Sequence, residues 1–123
     1  MVDADRARLR EAAHAIFDPI AGGYLAHDDV DIGRMFASEG LRVRGKIFAF
    51  VGLDGDIMIK VPAPRTDALI ADGTAERVVM RGRGMREWVT VSASHSDRWA
   101  ALIDEAYVFV DSITPGAGTA STR

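Results

Sequence analysis

Residues 41–61 read LRVRGKIFAFVGLDGDIMIKV, and their periodicity decides the fold class. In LRVRG, Leu41 and Val43 alternate with Arg42 and Arg44, which gives a strand one dry side and one charged side. Gly45 and Lys46 allow a tight turn. IFAFVGL is apolar throughout, the pattern of a central strand covered on both faces. Asp54 and Gly55 form a strong hairpin signal that leads into DIMIKVP, where Ile57, Ile59 and Val61 alternate with Met58 and Lys60. The stretch therefore predicts a three-stranded antiparallel meander.

Upstream, Leu9, Ala12, Ala13, Ile16 and Phe17 recur at helical spacing, so an amphipathic helix is expected from Asp5 to about Pro19. Asp3 and Asp5 sit at its start, where the helix dipole favours acids. The helix is expected to end or kink just before Pro19, because an interior proline removes a helical hydrogen bond. HDDVDIG, residues 27–33, reads as an acidic loop.

Downstream, Pro62 and Pro64 stop the third strand. RTDALIADG predicts a short helix with Thr66 as its N-cap and Gly73 in the left-handed position at its end. AERVVM and REWVTV are the fourth and fifth strands, joined through RGRG. Ser96 is expected to cap a last helix with Trp99, Leu102, Ile103 and Ala106 on its apolar stripe. Residues 114–123 lack large side chains and are expected to be a disordered tail. The order predicts an α+β fold: one domain over residues 1–113, with an antiparallel sheet of about five strands flanked by N- and C-terminal helices.

With 123 residues, 48% apolar and 27% charged, the composition is that of a soluble globular domain. The absence of cysteine excludes disulfides, thiolate metal sites and a cysteine nucleophile. The charged N-terminal stretch does not resemble a signal peptide, and no apolar run approaches the ~20 residues that span a bilayer. A cytoplasmic protein without membrane contact is expected. The net charge of −3 is unevenly spread. Residues 1–33 hold seven acids and three Arg, residues 34–86 ten bases and six acids, and residues 87–123 five acids and two Arg. The basic middle suits phosphates or an acidic partner.

No catalytic motif emerges. His27, Asp28, Asp29 and Asp31 are the one cluster with metal-ligand chemistry, but they lack the HExxH or calcium-loop spacing and read as a solvated loop. Nucleophile-elbow and phosphate-loop patterns are absent, and the GxG of GRGMRE precedes a strand, so no helix N-terminus receives a phosphate there. The expectation is a non-enzyme with no cofactor and no metal. Arg42, Arg44, Lys46, Arg81, Arg83 and Arg86 are the candidate contacts to nucleic acid or to a protein partner, with Lys60 alongside. Turns at residues 45–46 and 82–84 would carry them as two basic wings if both project from the same sheet. Alternation along REWVTV puts Arg86 on the face of Trp88, and Trp88 is read as core.

GRMFASEGLRVRGKIFAFVGLDGDIMIKV resembles the N-terminal domain of the TfoX/Sxy family, through Met35, Phe36, Gly40, Gly45, Lys46, Phe48, Ala49, Gly55 and Lys60. RGRGMREWVTV and the closing helix with Trp99 extend the likeness over residues 33–110. Ala37, Ser38 and Glu39 depart from the family's glycine-rich loop. The resemblance implies a regulatory or adaptor domain acting through protein contacts, as in transcriptional control of competence. A sheet-and-wing arrangement is associated with DNA binding in YjbR-like proteins, a likeness at the level of fold. Three expectations result: a regulatory module with a protein partner, a DNA-binding module using the basic turns, and a small-molecule binder or enzyme.

Overall fold

A computed structural model describes residues 2–35 and 38–116. The elements run α1 (Val2–Tyr24), β1 (Val30–Met35), β2 (Ser38–Val43), β3 (Lys46–Val51), β4 (Ile57–Lys60), α2 (Ala63–Ala71), β5 (Glu76–Met80), β6 (Arg83–Val91), a 3-10 helix (Ala93–Arg98) and α3 (Trp99–Ile113). The strands form one six-stranded antiparallel sheet in the order β1-β2-β3-β4-β6-β5. The fold is α+β, with one strand more than the sequence predicts.

Cross-strand rows give the sheet a dry face. Val51, Ile57 and Val91 form one row and Ala49, Ile59 and Val89 the next, none more than 2% exposed. Trp99, Leu102, Ile103 and Ala106 of α3, Phe17 of α1 and Leu69 of α2 complete this core. Strict alternation sends Phe50, Met58, Lys60, Trp88 and Thr90 to the opposite face, where all are half-buried. β3 is therefore central but not doubly covered. A bulge opposite Leu41 and Arg42 adds Phe48 to the core beside Ala49, which explains why its sequence reads as apolar throughout.

Four boundaries differ from expectation, each for a local reason. α1 passes through Pro19, which is exposed, because Ala21 and Tyr24 are anchored beyond it. Tyr24 packs against Phe48 and Tyr107, and its hydroxyl donates to Asp104 at 2.8 Å. Burial, then that bond, pushes the Tyr24 hydroxyl above the usual phenol range, so it stays a donor. Half of the expected acidic loop is β1: Val30 and Ile32 alternate with Asp31, and Val30 is buried. α2 begins at Ala63, with Pro62 at the N-cap position and Pro64 in the first turn, where a missing amide costs little. Thr66 is thus inside the helix and buried rather than its cap. Ser96 falls in the 3-10 helix, and α3 starts only at Trp99, whose indole N–H donates to the Ser92 carbonyl at 3.2 Å.

Gly73 has the expected positive φ of 83°. Phe36 and Ala37, quoted for the family resemblance and the departing loop, lie outside the described residues, as do residues 117–123 of the expected tail. No described helix is long and apolar enough to cross a membrane.

Gly55 joins the meander to α1. Its φ is 84°, and a Cβ there would lie 2.7 Å from the Leu9 carbonyl oxygen. Gly45 has a similar φ of 86° but open space around it. Gly55→Ala should cost about 3 kcal/mol in urea unfolding, and Gly45→Ala only the left-handed penalty of about 1 kcal/mol. Equal losses would contradict the α1 contact.

Candidate nucleic-acid interface

Strand direction brings three features to one end of the sheet: the β2–β3 turn, the end of β4 and the β5–β6 turn. Both turns are two-residue hairpins. Arg44 and Gly45 have φ of 47° and 86°, and Arg81 and Gly82 have φ of 54° and 76°. Two consecutive left-handed residues match the twist of the flanking strands. The turns therefore sit one residue earlier than predicted at 45–46 and 82–84, and Gly84 belongs to β6.

The six predicted contact residues divide by their partners. Arg42 lies opposite Asp31 in the β1–β2 ladder and donates to both carboxylate oxygens, at 2.9 and 2.7 Å. That bidentate bond holds the Asp31 carboxyl below its usual range. Arg44 is a structural clamp rather than a contact. It pairs with Asp29 and with Asp111 at 2.9 Å, and donates to the carbonyls of Asp111, Thr114 and Pro115. The clamp fastens the end of α3 to the β2–β3 turn, so Thr114 and Pro115 are held where the sequence predicts a tail. Asp29 and Asp31, half of the acidic cluster, are thus the counter-charges of Arg44 and Arg42. Among the described residues, no group of three or more His, Asp or Glu is placed to hold a metal.

Lys46, Arg81, Arg83 and Arg86 are exposed, and no ion pair involves them among the described residues. A groove of about 490 Å³ lined by Lys60, Ala63, Met85, Arg86, Glu87 and Trp88 lies beside one of about 310 Å³ that includes Lys46 and Ile47. Lys60 and Trp88 are cross-strand partners and line both. Lys60 and Glu87 approach only to 3.9 Å, beyond hydrogen-bonding distance. Trp88, predicted from sequence as core, is instead only partly buried and lies against Phe50 outside the core, with ring centroids 5.8 Å apart. Arg86, Glu87 and Trp88 all line the larger groove, in a segment where the β5–β6 register is interrupted. Phe50 was missed as a surface aromatic because its strand is apolar on both faces; the signal was its phase, one residue out of step with Ala49 and Val51.

The other end of this face is acidic. Asp56 accepts from the Thr90 hydroxyl at 3.2 Å and shares a cavity of about 180 Å³ with Glu76 and His95. Burial pushes the Asp56 carboxyl up, Thr90 opposes this, and Asp54 and Glu76 add to the rise. Charge on this face is therefore divided by end, with cations where the turns gather and carboxylates at the far end.

A family model described as YjbR matches residues 25–108. No curated protein and no solved structure matches. The match replaces the TfoX/Sxy assignment. The residues behind that resemblance, a glycine at a two-residue turn, an Asp-Gly hairpin and an apolar central strand, are what any tight meander of this shape requires.

Two measurements check this charge arrangement. Arg44→Met should lower unfolding stability by about 2 kcal/mol or more, since it strands two carboxylates and three carbonyls; Arg42→Met, in an exposed pair, should have a much smaller effect. Similar losses would contradict the clamp. For Asp56, a raised folded-state value means that the native state keeps a proton which the unfolded chain loses. Its contribution to stability is present below the ordinary carboxylate range and is lost as pH rises through the raised value. Asp56→Asn should therefore stabilise more at about pH 7 than at about pH 3; an equal effect at both would contradict the shift.

Proposed function

The chain belongs to the YjbR family, and we propose that it is a non-catalytic, cytoplasmic DNA-binding module that grips phosphates between its β2–β3 and β5–β6 turns. One observation carries the reading: two tight hairpins at one end of the sheet present Lys46 on one side and Arg81, Arg83 and Arg86 on the other, with Lys60 between. With Arg42 and Arg44 taken up in ion pairs, Lys46, Arg81, Arg83 and Arg86 are the cations of this end that have no ion pair among the described residues.

The physics sets the character of binding. The net charge of −3 gives no long-range attraction, so affinity rests on the local cations and on counterion release. Four or five phosphate contacts imply a log–log salt slope of about −4 for duplex DNA.

A second reading has its own support. Val79 and Met80 are 63% and 44% exposed on the edge strand β5, next to Arg81. An exposed apolar pair on an edge strand flanked by cations suits an acidic protein segment, in keeping with an adaptor role.

Fluorescence anisotropy with a labelled duplex and with its separated strands decides between them. The expected result is binding at low salt that weakens with the slope above. The triple change Lys46→Ala, Arg83→Ala and Arg86→Ala should reduce affinity at least about 10-fold, and Arg42→Ala should leave it unchanged. No binding to any of the three DNAs at low salt would overturn the proposal.

A further inference from the structure

The two tryptophans are used in opposite ways. Trp99 is 0% exposed and its indole N–H is satisfied by the Ser92 carbonyl. Trp88 lies partly buried on the face that the helices leave uncovered, and among the described residues its indole makes no hydrogen bond. Phe50 is tilted 60° to it across β4, with Met58 and Lys60 flanking the pair. All three helices pack on the other face, so the two rings are not holding a layer in place. They form a small aromatic platform with Lys60 directly beside Trp88 and Arg86 lining the same groove, while Lys46, opposite the buried Val43, reaches the neighbouring groove from the helix side at the end of the sheet.

Resting on the nucleic-acid reading above, we infer that the partner is an unpaired polynucleotide strand, with a base stacked on Trp88 and a neighbouring base on Phe50. In a duplex, each base already has both faces covered by its neighbours, so its π-surface cannot reach a ring on a sheet. An unpaired strand offers that surface while its phosphates follow the cations, the combination used by single-strand binders. The tilt between the rings requires one base per ring rather than a continuous stack. The carboxylates of Asp56 and Glu76 repel phosphates at the far end, which directs the strand across β3, β4 and β6 at the turn end rather than along β6. Charge and aromatic surface thus select the same short path.

The test uses the intact protein and its own tryptophan emission. It is titrated with oligothymidylate of about 15 nucleotides, within the range of site sizes known for single-strand binders, with oligouridylate of equal length, and with a duplex of equal length. The expected result is quenching by a single strand of either sugar type, arising from Trp88 because Trp99 is sealed, and at least about 10-fold tighter binding than the duplex. Trp88→Leu keeps the apolar bulk and should lose that preference by on the order of 10-fold, while circular dichroism and the salt dependence are retained; Trp88→Phe should keep most of it. Duplex binding as tight as single-strand binding, without quenching but still sensitive to the Lys46, Arg83 and Arg86 changes, would overturn this inference and leave the DNA reading standing. Binding to none of the oligonucleotides would overturn both.

Discussion

Val89 and Val91 enter the core from β6, and everything on the opposite face follows from that register. Each buried valine contributes about 1.5–3 kcal/mol relative to exposure, and a slip of one residue would exchange the whole set for Trp88, Thr90 and Arg86. Ile57 and Ile59 of β4 and Ala49 and Val51 of β3 repeat the constraint across the sheet. The helices supply enough apolar surface for one face: Trp99, Leu102 and Ile103 of α3, with Phe17 and Leu69, fill it. The residues between the valines are therefore directed outward by the same packing that stabilises the fold. The aromatic platform is a geometric consequence of the core, and the rigidity of the core is what holds Phe50 and Trp88 in fixed relation.

Charge is sorted by the same architecture. β1 lies against β2, which brings Asp31 to Arg42, and the turn into β1 brings Asp29 to Arg44. These pairs use two of the seven acids of the N-terminal third and two of the central arginines. What remains at the turn end is a local excess of Lys46, Arg81, Arg83 and Arg86 in a protein that is acidic as a whole. Such a surface favours short-range, salt-sensitive recognition over long-range attraction. Arg44 has a further effect, because clamping the end of α3 closes the wall behind Lys46 and Ile47.

The parts of the fold that sequence made legible were those with local causes. Alternation in Leu41–Val43 and Ile57–Val61, the Asp54-Gly55 hairpin, Gly73 and the α3 stripe each depend on neighbours in the chain, and the structure keeps them. The misread parts depend on distant residues. Pro19 is tolerated because Tyr24 meets Phe48 and Tyr107. VDIG is a strand because Arg42 answers Asp31. Arg44 resembled Arg42 in sequence, yet its partners lie near residues 29 and 111–115, a juxtaposition no local pattern reports. Trp88 illustrates the same limit from the other side: alternation separates it from Val89, but which face is dry depends on where the helices dock. The family resemblance failed for a related reason, since turn glycines and strand alternation describe a meander rather than a lineage.

The central claim is that recognition occurs at the turn end of the uncovered sheet face. Amide chemical-shift mapping by NMR during titration with an oligonucleotide tests it most directly, because every described strand reports at once. The account predicts shifts concentrated at residues 45–47, at Lys60 and over residues 81–88, with the Trp88 indole N–H among the largest changes and the Trp99 indole unmoved. Shifts centred on the helical face or on the Asp56 end, or none at saturating ligand, would contradict it.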